Sequence, residues 1–204
     1  MFVSQISIGF SYAIRKALGA TKQHNTITPY LSFEILSVIL ERDRPCEKKI
    51  LVGSTTDEPS IAEARGLGYE VNILRRVPGQ APQNDEPKPA SGKSKGKNSS
   101  EQAVDEIIIM KILESLVDHP PSTIVLATGD GNAAEFGDGF IKTIERSLQR
   151  GWNVELVAFR HNLNNSWKKL GSPKFHIILL DGYLVDLTRL DQNITLTKEK
   201  GKKK

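Results

Sequence analysis

At 204 residues the chain has the length of one domain of ordinary size plus some irregular sequence. No run of about 18 apolar residues occurs, so no transmembrane helix is expected, and the start lacks the basic and apolar regions of a signal peptide. A single cysteine, Cys46, excludes an internal disulfide and a cysteine-based zinc site; an intracellular setting, cytoplasmic or nuclear, is the natural inference. The formal charge is +4, but residues 198–204 carry five lysines against one glutamate and supply that excess alone. Lys93, Lys95 and Lys97 form a second basic cluster, so the rest of the chain is close to neutral. Such clusters attract phosphates without sequence preference or are simply solvated ends.

In chain order, residues 2–8 alternate weakly and predict a first strand, and 11–18 a short helix stopped at Gly19. Thr28-Pro29 opens a stronger helix over 31–41, dense enough in apolar residues to pack on a sheet. Strands follow at 48–54 and 69–74, separated by a short helix at 59–66 that ends on Gly66-Leu67-Gly68. Residues 77–100 hold Pro78, Pro82, Pro87 and Pro89 with almost no large apolar side chain. They can bury too little surface to offset the entropy of ordering. The stretch therefore reads as a disordered insertion within one domain covering 1–190, with a basic disordered tail at 191–204. A long helix follows at 101–117, then a strand at 122–128, a helix at 140–148 and a strand at 154–159. A short helix at 164–170, a strand at 175–180 and a final helical turn complete the pattern. Strands alternating with helices predict an α/β sandwich with a mainly parallel sheet.

The strand at 122–128 ends in Thr128-Gly129-Asp130-Gly131-Asn132, which sets a carboxylate just past a strand's carboxyl end. Open parallel sheets place their ligand sites there. An Asx turn or helix N-cap accounts for the same aspartate equally well. Asp138 comes eight positions later, just before the next helix. Asp105 opens the long helix, where the helix dipole by itself favours an acidic residue. Carboxylates gathered in one crevice repel unless a hard cation joins them, and Mg²⁺ or Mn²⁺ prefers such oxygen ligands. No dinucleotide fingerprint, P-loop or hydrolase elbow occurs. His24, His119, His161 and His176 lack ligand spacing, and Cys46 has no histidine partner. Trp152 reads as core edge. Trp167 lies among Asn164, Asn165, Lys168 and Lys169, and is read as packing in preference to base stacking.

Four pieces carry a resemblance. They are Lys49-Ile50-Leu51-Val52-Gly53-Ser54, Gly68-Tyr69-Glu70-Val71, Gln102-Ala103-Val104-Asp105-Glu106, and Ala127-Thr128-Gly129-Asp130-Gly131-Asn132 with Gly137-Asp138-Gly139-Phe140. In that order the chain resembles the NYN domains of the PIN-like ribonuclease superfamily, in particular fungal and limkain-type members, between about 30 and 185. The resemblance implies a PIN-like, Rossmannoid three-layer α/β sandwich with strand order 3-2-1-4-5. It implies Asp105, Asp130 and Asp138 as catalytic ligands of Mg²⁺ or Mn²⁺, with Asn132, Thr128 and Ser4 at substrate-contacting positions. Single-stranded RNA is the implied partner and a second copy of the chain a further candidate; no membrane is involved. One departure stands out. The family's first strand ends in Asp-x-Ser-Asn, and here Ser4 stands in place of the aspartate. Two functions therefore remain open: a metal-dependent endoribonuclease, or a catalytically silent RNA-binding or interaction module that keeps the fold.

Overall fold

The computed structural model of this chain describes residues 2–5, 30–53, 58–74, 77–78, 99–100, 104–128 and 139–189. The helix read at 11–18, the tail at 191–204 and most of the insertion lie outside them. Six strands form one parallel sheet: β1 (Phe2–Gln5), β3 (Lys49–Gly53), β4 (Glu70–Ile73), β7 (Thr123–Ala127), β8 (Asn153–Ala158) and β9 (Phe175–Leu179). Their spatial order is β4-β3-β1-β7-β8-β9, and every neighbouring pair is parallel. The first five follow the expected 3-2-1-4-5, with the strand at Ile124 beside the N-terminal one and β9 added at the edge.

The apolar runs in β3, β7 and β8 are buried because helices cover both of their faces. Alternate residues go to opposite sides. Ile50, Val52, Ile124, Leu126, Val154 and Leu156 join one core with α3 (Val104–Asp118) and α4 (Gly139–Gln149). On the other side, Val125, Ala127 and Val157 pack with α1 (Phe33–Glu41) and α5 (Leu184–Leu187). Leu51 meets Phe33 of α1, Ala64 of α2 (Glu58–Gly66) and Tyr69. The chain is thus mixed α/β around a parallel sheet. Among the described residues, no helix is long and apolar enough to cross a membrane.

Several local readings need correcting. The helix expected from residue 31 starts at Phe33. Ser32 caps it, its hydroxyl accepting from the Ile35 amide at 3.3 Å. Just before the cap, β2 (Tyr30–Leu31) pairs antiparallel with β10 (Thr188–Arg189). The insertion's two ends are not irregular: β5 (Val77–Pro78) and β6 (Ser99–Ser100) pair antiparallel, so the chain re-enters the fold where it left. The helix expected at 164–170 is a 3₁₀ turn over Asn165–Lys169, started by the Asn164 side chain accepting from the Ser166 amide at 2.9 Å. Trp152 lies inside the core, not at its edge, at 1% exposure. Trp167 is fully buried and stacks on Phe175 at 6.0 Å. Helix α4 ends on Gly151, whose φ of 87° suits a residue without a Cβ. Its buried Thr143 and Ser147 hydroxyls donate to Gly139 and Thr143 carbonyls four residues back, so neither is left unsatisfied.

Candidate functional site

The strand order reverses at β1. The chain passes from β1 to β3 and β4 on one side, then returns to β7 on the other. In open parallel sheets the crevice outside the carboxyl ends at such a reversal is the usual ligand site. Helix α3 ends at Asp118, a few residues before β7 starts at Thr123, so the helix runs back along the sheet. Its 15 residues span about 22 Å, against roughly 17 Å for a five-residue strand. Its first turn, with Asp105, therefore reaches the carboxyl edge. Helix α4 ends just before β8 and runs the same way, so Gly139 also starts at that edge.

The backbone of Ser4 is in register with Leu51 on one side and with Ala127, the last residue of β7, on the other. It occupies the middle of the sheet, one residue short of the end of β1. Thr128, 7% exposed, is the first residue past β7. Asp105 is half-buried and already engaged in an interaction. Asp130, Asn132 and Asp138 lie outside the described residues, but their sequence neighbours Thr128 and Gly139 are at the same edge. Among the described residues, no group of three His, Cys, Asp or Glu side chains could hold a metal ion. A shared site for Asp105 and Asp130 thus stands as an expectation.

Two more groups from later strands reach this edge; in the sequence His161 shows only a lack of ligand spacing, and Arg160 and Asp181 carry no motif. Arg160 and His161 follow β8 in a 3₁₀ turn, and Asp181 follows β9. The Asp181 carboxylate accepts the Arg160 backbone N–H at 2.9 Å. His161 stacks on the buried Phe159 ring, with centroids 5.9 Å apart. The only available cue in the sequence is position, within three residues of a strand's end.

The other half of the sheet is electrically matched. Glu155 in β8 accepts two bonds from Arg44, at 2.8 and 2.9 Å, and one from Arg42. The hydrogen bond to Glu155 raises the Arg44 pKa above its usual range. Arg44 also donates to the Leu40 and Glu41 carbonyls, closing the end of α1. Lys111 lies 3.0 Å from Glu70 and 3.3 Å from Glu114. Burial works to raise the Glu70 pKa, but hydrogen bonds from Lys111 and Asn72 bring it below the ordinary value. Lys49 Nζ stands 2.6 Å from Glu41 Oε1 as a charge contact without hydrogen-bond alignment. Beside it, burial pushes the Tyr69 hydroxyl up to about 12, against the opposing bond to Ser37 Oγ at 2.9 Å. Burial likewise raises the Cys46 thiol, the opposite of what a nucleophile needs.

The chain matches no family model, no curated protein and no solved structure.

Proposed function

We propose that this chain is a metal-dependent endoribonuclease of the NYN, PIN-like type on a three-layer sandwich. One observation carries the reading. The starts of α3 and α4 and the end of β7, the chain positions next to Asp105, Asp138 and Asp130, share one sheet edge at the strand-order reversal. The donor set fits a hard cation, since carboxylate oxygens suit Mg²⁺ or Mn²⁺ and Asp105 sits half-buried at that edge. Asp105, Asp130 and Asp138 would hold the ion, which supplies positive charge for activating water and for offsetting charge on the attacked phosphate. Thr128 and Asn132 would orient the phosphodiester through hydroxyl and amide donors. Two helix N-termini facing the edge would add favourable potential for the anion.

A second reading, a silent RNA-binding module, is favoured by Ser4. Its central register position, between β3 and β7, holds a hydroxyl where the resembling family has a carboxylate. Serine is a far weaker ligand for a hard cation. The two are separated by a cleavage assay on single-stranded RNA with Mn²⁺. The enzyme reading expects cleavage that Asp130→Asn lowers by roughly a hundredfold or more, and that Ser4→Asp raises. Equal residual cleavage by the chain and Asp130→Asn would mean contamination and remove the enzyme reading.

A further inference from the structure

We propose that the outer surface of the α3–α4 pair docks an acidic amphipathic helix of a partner protein, a role independent of the ribonuclease reading. Both helices run from the carboxyl to the amino edge over the same face of the sheet and pack side by side. Helix α3 turns Val104, Ile108 and Ile112 to the core. At 3.6 residues per turn, Met110, Leu113 and Val117 then come out on the solvent side, where they are 48, 36 and 76% exposed. A helix that only covers a sheet carries polar residues there. This i, i+3, i+7 set is instead an apolar stripe about 10 Å long.

The two flanks of the stripe differ in charge. Lys111 turns toward β4, where it meets Glu70, so the opposite flank of α3, with Leu113, faces α4. Helix α4 sends Ile141 and Leu148 into the cluster with Leu163 and Leu170 of the β8–β9 connection. Its other flank, facing α3, carries Arg146 and Arg150. Both are exposed and stand one turn apart, the Arg150 amide donating to the Arg146 carbonyl at 3.1 Å. Packed helix axes lie about 8–10 Å apart, so two guanidinium groups border the stripe along one side. On its far side Glu114 meets Lys48 and Lys111. This combination selects the occupant. A nucleic-acid backbone satisfies the arginines but gains nothing from Met110, Leu113 and Val117. A helix with apolar residues at matching spacing and Asp or Glu along one flank complements both. Segments 6–29, 79–98 and 190–204 of this chain each hold more Lys and Arg than Asp and Glu, so none of them matches the arginine flank.

The test is fluorescence anisotropy of the full chain with a labelled synthetic helix of about 18 residues, bearing Leu at i, i+3 and i+7 and Glu along one flank. A second probe has Lys at every Glu. The acidic helix should bind roughly tenfold or more tightly than the basic one. Leu113→Glu should weaken it about tenfold, and Arg150→Glu should weaken it similarly while raising affinity for the basic helix. Both positions are exposed, so thermal midpoints should stay where they are. Val38→Glu, at an exposed apolar residue of α1 on the other side of the sheet, should change nothing. Equal binding of the two probes, or an equal loss in Val38→Glu, overturns the inference. A dimer in sedimentation velocity that Leu113→Glu abolishes also overturns it, because a second copy then covers the stripe. An oligouridylate that outcompetes the acidic helix and loses affinity in Leu113→Glu gives the surface to RNA instead. The cleavage assay on Asp130→Asn reads the nuclease separately, so either reading can fail alone.

Discussion

Tyr69 shows how one side chain ties pH to stability here. Its hydroxyl is buried between α1 and β4, bonded to Ser37, with its pKa pushed up to about 12 from an ordinary 10. The folded chain therefore keeps a proton that the unfolded chain gives up. Its contribution is fully present below pH 10 and is lost as the pH rises through 12, a total loss of roughly 2–3 kcal/mol. Urea denaturation at successive pH values should show this decline. In the Tyr69→Phe variant the curve between pH 10 and 12 should be flatter. At neutral pH that variant should be less stable by about 1 kcal/mol, the worth of the lost hydrogen bond. Equal alkaline slopes for the two proteins would show that Tyr69 does not titrate as argued.

Trp167 does for the β8–β9 connection what Ser32 does for the start of α1: each fixes a segment that propensity alone leaves undecided. With its ring fully buried against Phe175, Trp167→Ala should cost about 3–5 kcal/mol, read as a lowered denaturation midpoint. A loss below about 1 kcal/mol would mean the turn repacks without it. The long elements were legible from sequence because burial on both faces writes a continuous apolar run, as in Ile124-Val125-Leu126, and gives helices a spaced one, as in Val104, Ile108 and Ile112. What the sequence hid were pairings between distant short segments. Tyr30–Leu31 became strand only because Thr188–Arg189 lies opposite, and no local pattern announces that. Thr28-Pro29 and the apolar Leu31 extended the apparent helix past Ser32, whose capping role the structure brings out. The turn at 164–170 has helical composition, but its Asn164 side chain closes it as 3₁₀.

Across the whole molecule, charge is distributed by edge. Matched ion pairs tie helices to strands in the amino half, while the carboxyl edge gathers Asp105, Asp181 and Arg160. Of the candidate site, the chain order of Asp105 and the β7 end was readable, because a helix–strand alternation dictates which ends meet. Arg160 was not, since an arginine after a strand has no sequence signature and its value depends on which strand lies next door. Ser4 is the converse case: its identity was plain, and its central position needed the register of three strands.

The two-rung ribbon of Val77–Pro78 with Ser99–Ser100 makes residues 79–98 a detour whose ends already touch. Closing a loop costs about 0.6 kcal/mol per doubling of its length, so exchanging roughly 20 residues for an Asn-Gly turn should recover about 2 kcal/mol. Thermal unfolding of that shortened chain should shift upward by several degrees; a downward shift would mean the detour holds contacts the fold depends on. The same geometry makes the ribbon a graft port. A foreign peptide, or a reporter domain whose own termini lie close together, can be spliced between Pro78 and Ser99 without asking the sheet to move.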